Sequence, residues 1–397
     1  MQRLPLSLRS GLIAAVLSVA PGMSSADPTV GAINTLASYG QQVKVELRDA
    51  QPYLLPMMRY TRSGNNIVAE YEYIGAEFGP FPPNVGAMPL NLGELAPGNY
   101  TLTARIFDID NPGTPQKVTT TNLPVLPPSS YGIYSVPMNP RAYDNVGIVI
   151  RSAAYFDVGS MHATVAPNSI RVDFTFNGSL SGPPPAGMQT YGTVSAGRLP
   201  PGTYHLEGWG RSVSGGNPEK YFDRDIVVGN AATVVEFYNE WLDHYFVAAA
   251  GNEIDMLDAG AQGGWKRTGQ TFAAWPEAKL APPQAVPVCR FYAKGPNSHF
   301  YTADPSECQQ LRDLEAAQRA QAQGAGTAFV GWGYEGTAFY AMLPQNGQCP
   351  AGTNPVWREY NGRAARNDSN HRFTPDAQVR DSMAGWQLEG VAFCTPA

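Results

Sequence analysis

"WKRTGQTF" (265–272), "WGYEGTAF" (332–339) and "WQLEGVAF" (386–393) share one skeleton: Trp, three residues, Gly, two residues, Phe. The internal spacing is the same in all three, which makes this the strictest repeat in the chain. Each copy follows a related stretch: "VVEFYNEWLDHYF" (234–246), "VPVCRFYAKGPNSHFYT" (286–302) and "NPVWREYNGRAARNDSNHRFT" (354–374). In each, a short β-type run ends in an aromatic, crosses a polar loop and reaches a histidine followed by aromatics: His244, His299 and His371. A helix should lie between the His strand and the Trp strand. In the second copy Asp304 is a good N-cap, Pro305 suits the first helical position and Glu307 completes a capping box. In the third, Thr374 and Pro375 are read the same way. The unit is therefore strand, loop, strand, helix, strand. A unit of roughly 45 residues cannot bury its own apolar face, so three should stack around a shared core. We expect residues 232–397 to form a pseudo-threefold, β-rich repeat domain with short helices, trefoil-like or propeller-like.

Working outward, the first half carries a different repeat. "NNIVAEYEYIG" (65–75) resembles "NSIRVDFTFNG" (168–178), and "LAPGNYTLTARIF" (95–107) resembles "LPPGTYHLEGWGR" (199–211). Ile67 corresponds to Ile170 and Tyr100 to Tyr204, about 100 residues apart, the length of an Ig-like sandwich. Ile67, Ala69, Tyr71 and Tyr73 alternate with Glu70 and Glu72, the period-two pattern of a half-buried strand. The Leu-x-Pro-Gly-x-Tyr turns at Leu95 and Leu199 resemble a tyrosine corner. The expectation is a mainly β protein with Ig-like sandwiches at 27–128 and 129–231. "PVLPPSS" (124–130) reads as a stiff linker. "FDIDNPG" (107–113) could suggest a calcium loop through Asp108 and Asp110, but it lacks the bidentate Glu and reads as a hairpin turn. His205 alternates away from Tyr204 and Leu206, so it should face solvent, and His162 stands alone.

Composition places this architecture. Charged residues are 15% of the chain, with 41 Gly, 35 Pro and 20 Tyr, which favours a turn-rich β protein of an extracellular kind. A net charge of −6 argues against nucleic acid or anionic lipid as partner. Arg3 and Arg9, an apolar run at 11–20 and Ser24-Ser25-Ala26 have the form of a secretory signal peptide over 1–26. That run is too short to span a bilayer, and no later one is long enough. The expected destination is the periplasm or the medium. Cys289, Cys308, Cys349 and Cys394 allow three disulfide connectivities, and we expect Cys289–Cys308 with Cys349–Cys394. Sequons at Asn99, Asn177 and Asn367 matter only in a eukaryotic secretory route.

"CRFY…NSHFYTADPSEC", "GYEGTAFY" and "NHRFT…GWQLEGVAFC" resemble a bacterial secreted repeat family of unknown function (domain of unknown function 5648). The resemblance covers residues 232–397 and implies no activity and no catalytic residue. The first copy departs from it: "DHYFVAAAGNE" lacks the Thr, the clear cap and the cysteine.

Three imidazoles can bind Zn²⁺ and leave a place for water. One residue recurring at one structural position, however, is what a scaffold needs, so the expectation is no metal, no cofactor and no catalytic residue. No GxSxG, HExxH or Walker motif occurs. The candidates for ligand contact are His244, His299, His371, Trp265, Trp332, Trp386, Asn297 and Asn370. Rings beside polar loops such as "AKGPNS" (293–298) and "NGRAARNDSN" (361–370) suit a sugar, which stacks its apolar face and bonds its hydroxyls. The expected function is binding or adhesion to a carbohydrate or cell-surface partner. A hydrolase would need carboxylates facing each other across a groove, with Glu335 and Glu389 the nearest candidates. A purely structural envelope protein would bury every aromatic and leave no groove.

Overall fold

A computed structural model describes residues 29–32, 37–48, 58–73, 87–108, 113–177, 183–249 and 251–397. The expected signal peptide and Asp110 lie outside the described residues. The first module contains β1 (Thr29–Ala32), β2 (Ala37–Ser38), β3 (Gln42–Arg48), β4 (Arg59–Ser63), β5 (Asn66–Tyr73), β6 (Ala87–Glu94), β7 (Gly98–Asp108) and β8 (Lys117–Leu126). The second contains β9 (Gly132–Val136), β10 (Asn145–Ala166), β11 (Ser169–Asn177), β12 (Met188–Arg198), β13 (Gly202–Ser212) and β14 (Glu219–Val228). Their pairings correspond strand for strand. In the first, β1-β3-β6 form one sheet and β4-β5-β7-β8 run consecutively through another. In the second, the start of β10 pairs with β9 and β12, its end pairs with β11, and β13 and β14 follow.

The sheets are not paired as Ig-like sheets are. β5 runs parallel to β7, and β11 parallel to β13, whereas the strands within each Ig-like sheet are antiparallel. The physical reason is the intervening strand, β6 or β12, which pairs elsewhere, with β3 or with β10, and returns the chain in its original direction. The tyrosine corners are present: Tyr100 donates to the Ala96 carbonyl at 2.9 Å and Tyr204 to the Pro200 carbonyl at 3.1 Å. His205 is half-buried, with its side chain 42% exposed and bonded to Asp225 at 2.7 Å. Pro124 belongs to the end of β8, so the "PVLPPSS" stretch is only partly linker.

Each repeat forms a three-stranded antiparallel unit with a helix before the last strand; those of the second and third repeats are separate sheets, and that of the first continues through its last strand into β4 of the first module. The first has β15 (Ala232–Asn239), β16 (His244–Ala248), α1 (Gly251–Asp258) and β17 (Trp265–Ala274). The second has β18 (Val286–Ala293), β19 (Ser298–Thr302), α2 (Pro305–Ala325) and β20 (Trp332–Ala341). The third has β21 (Thr353–Tyr360), β22 (His371–Thr374), α3 (Ala377–Asp381) and β23 (Gln387–Pro396). Strand order and register are the same in all three: Val234 faces Phe272, Val288 faces Phe339, and Val356 faces Phe393. The three motif phenylalanines meet in one core, with ring centroids 5.5–6.1 Å apart. The motif glycines all have positive φ (86°, 127° and 108°), where a side chain would be strained, and sit where the ladder shifts register.

Two cap readings change. The third helix is capped by Asp376, which accepts from the Gln378 and Val379 amides, while Thr374 accepts from the Asp376 amide. Asp304 caps α2 as expected, but the Glu307 carboxylate turns to Arg358 instead of closing a capping box.

The first module docks on the first repeat. Tyr60 of β4 pairs with Arg267 of β17, and a Cβ on Gly269 would lie 2.9 Å from the Asn91 carbonyl. Glu70 and Glu72, the polar side of the alternation, are therefore buried. They pair with the fully buried Arg59, which also reaches Glu240 at 2.9 Å.

Both disulfides form as expected, Cys289–Cys308 and Cys349–Cys394, with sequence separations of 19 and 45. Loop-closure entropy makes the longer one worth about 4 kcal/mol and the shorter about 3 kcal/mol. Cys349→Ser/Cys394→Ser should lower the urea midpoint more than Cys289→Ser/Cys308→Ser, and the reverse order would contradict this reading.

Candidate functional site

The register corrects the histidine repeat. Tyr292 pairs with His299 and Tyr360 with His371, but Tyr238 pairs with Tyr245; His244 pairs with Asn239. His299 and His371 are therefore equivalent to Tyr245, and His244 is equivalent to Ser298 and Asn370. A slip of one residue turns a side chain to the opposite face. His244 is buried, its Nδ1 3.1 Å from the Asn297 carbonyl and its Nε2 2.7 Å from Asp368. Asn370 is fully buried, donating to the Tyr245 carbonyl and Ser298 Oγ and accepting from the Tyr245 amide. His244 and Asn370 thus brace the three repeats together, and neither faces an open groove.

His299 does face one. Its ring lies between Tyr292 of its own repeat, 4.8 Å away, and Phe246 of the first repeat, 4.6 Å away, both tilted against it. Arg290 bridges the same seam, with Nη1 2.9 Å from Glu253 on α1 and Nε 2.9 Å from Glu335. Glu335 sits at the register shift beside Gly336, which aims its carboxylate at Arg290 and at His299, 3.4 Å away. These groups line a groove of about 870 Å³ that Trp241, Trp265 and Asn297 also enter. Trp241 is 73% exposed, and its indole edge rests against Gly264, where a Cβ would lie 2.9 Å away. Its loop is anchored by Arg59 on Glu240 and by Arg363 on Asp243.

The second seam repeats this arrangement: Arg358 pairs with Glu307 of α2 and with Glu389, and His371 lies between Tyr360 and Phe300. The third seam, which closes the domain, reverses it. Glu236 occupies the position of Arg290 and Arg358, and Arg372 that of Phe246 and Phe300. The two form a buried double hydrogen bond at 2.7 and 3.0 Å, with Thr268 donating to the same carboxylate and the Tyr245 ring under the guanidinium. Trp386 packs on Tyr245, and Trp332 packs on Phe300 beside the Cys289–Cys308 disulfide, so of the three repeated tryptophans only Trp265 lines the groove.

Burial raises the Glu335 carboxyl, but His299 and Arg290 outweigh it and hold it below the ordinary range. Glu335 and Glu389 lie in different seams, each tied to its own arginine. Among the described residues no group of three His, Cys, Asp or Glu is placed to hold a metal ion.

Sequence reasoning missed Trp241, Glu253 and Arg290. Arg290 and Arg358 stand at one strand position, and Glu253 and Glu307 are both third in their helices. That recurrence was the available signal; the exposed Trp241 in "NEWLDH" had no counterpart to flag it.

Residues 233–396, spanning the three repeats, match the family model described as "Domain of unknown function (DUF5648)". Neither the curated proteins nor the solved structures searched gave a match.

Two predictions follow from the third repeat and its seam. Arg372→Met should cost about 3–5 kcal/mol, because it leaves the Glu236 charge buried and unpaired. Adding Glu236→Gln should recover part of that loss in urea titration; equal or greater loss in the double variant would contradict the pairing. Glu359, buried and with its Oε2 unbonded, is pushed up to about 7 by burial, against the opposing pull of Arg372 and Arg380. A carboxyl raised in the folded state lends stability that is full below its unfolded value and is lost as pH rises through about 7. Glu359→Gln should therefore hold its Tm between pH 5 and pH 8 better than the parent does. A parent Tm with the same pH slope as the variant would show that Glu359 does not titrate there.

Proposed function

We propose that this is an exported, non-catalytic binding protein whose repeat domain takes a carbohydrate in the groove between the first and second repeats. The observation that carries the reading is Trp241: a broad ring, mostly exposed, at the edge of a groove that also holds polar and charged groups. A pyranose stacks its C–H face on such a ring, while Asn297, His299 and Glu335 meet its hydroxyls in the plane. An exposed aromatic with a few convergent polar groups is the usual make-up of a small-ligand site. Two disulfides fit an oxidising compartment, and among the described residues no helix is long and apolar enough to cross a membrane.

Glu253 and Glu335 share Arg290, and Glu335 is held ionised, so a protonated general acid of the kind glycoside hydrolysis uses is not favoured. An exposed ring over a groove also weighs against a purely structural role.

The test is isothermal titration of the full chain with soluble cello-, chito-, xylo- and malto-oligosaccharides. One class should bind saturably, and Trp241→Ala should weaken it by about 10-fold or more with Tm unchanged. Unchanged affinity in that variant, or no binding by any class, would refute the site.

A further inference from the structure

The seam between the second and third repeats carries the same side chains as the groove. Arg358 Nε lies 2.6 Å from Glu389 and its Nη1 3.0 Å from Glu307, as Arg290 lies 2.9 Å from Glu335 and 2.9 Å from Glu253. His371 is 4.8 Å from both Tyr360 and Phe300, as His299 is 4.8 Å from Tyr292 and 4.6 Å from Phe246. The charged centre is as open to solvent at one seam as at the other. Glu307, Glu389 and Arg358 side chains are 35%, 31% and 18% exposed, against 29%, 33% and 22% for Glu253, Glu335 and Arg290. Where closure is the task, at the third seam, the chain abandons this set for a fully buried Glu236–Arg372 pair. The set is thus not required for packing two repeats together.

We infer that the seam between the second and third repeats is a second, weaker site for the same class of carbohydrate. The inference rests on the reading given under Proposed function. Weakness follows from one position. The loops joining the first two strands are equally long in the first and second repeats, and Gly295 stands where the first has Trp241. A Cβ on Gly295 would lie 2.9 Å from the Asn367 side chain, so an amide fills the space of the stacking ring. Loss of that platform sets the second site about 10-fold or more below the first.

Equilibrium dialysis of the full chain with the best labelled oligosaccharide from the titration reads the number of sites. The parent should bind two ligands with separated affinities. Trp241→Ala should lose the tighter site and keep the weaker, and Glu389→Gln should do the opposite, with Tm checked for both. A single parent site abolished by Trp241→Ala would overturn the second site while leaving the first standing. No saturable binding by the parent would overturn both.

Discussion

Phe272, Phe339 and Phe393 hold the repeat domain together, because none of the three sheets can bury its inner face alone. A sheet of three short strands with one apolar side is marginal by itself. Bringing three such sides together places the phenylalanine rings against each other, with Val234, Val288 and Val356 behind them. Each of these fully or nearly buried phenylalanines is of the kind whose truncation costs about 3–5 kcal/mol. Once the faces converge, the repeats must also meet side by side, and the paired charges and the histidines lie at the three seams so created.

Two seams are alike and one is different, and the difference is physical. At the first and second, an arginine, two glutamates and a histidine remain partly in water, where ion pairs contribute little to stability. At the third, a glutamate stands where the other repeats have arginine, an arginine stands where they have phenylalanine, and both lose nearly all their water. A buried pair of this kind is weak evidence for net stability but punishes mispairing heavily, since a lone buried charge is costly. The arrangement suits a ring that must close in one order. It leaves the other two seams free to carry groups whose positions serve something other than cohesion.

Much of this was legible in the residues. The Trp-x-x-x-Gly-x-x-Phe spacing located the last strand of each repeat, because a register shift demands a glycine at positive φ and the core demands the phenylalanine. The cysteines paired as expected, and Leu-x-Pro-Gly-x-Tyr marked both tyrosine corners. The histidine alignment failed in the first repeat because "DHYF" matches "SHFY" by letters, whereas the ladder pairs His244 with Ser298 as equivalents. One residue of slip exchanges core for groove. The Ig-like expectation failed for a different reason: alternation identifies strands but carries no information on which neighbour each pairs with, and the parallel pairs β5–β7 and β11–β13 are a matter of crossover. Glu70 and Glu72 looked solvent-facing because the cations that meet them, Arg59 and Lys266, come from other strands, Lys266 from the first repeat.

The proposed carbohydrate site turns on Trp241, and the seven tryptophans give a direct reading of it. Indole N–H spectra of the ¹⁵N-Trp-labelled chain, followed during titration with a binding oligosaccharide, should show the Trp241 resonance moving saturably and Trp265 moving with it. Trp209, on the second module, should stay fixed. A saturable titration that moves Trp209 and leaves Trp241 in place would put the ligand elsewhere and contradict the account.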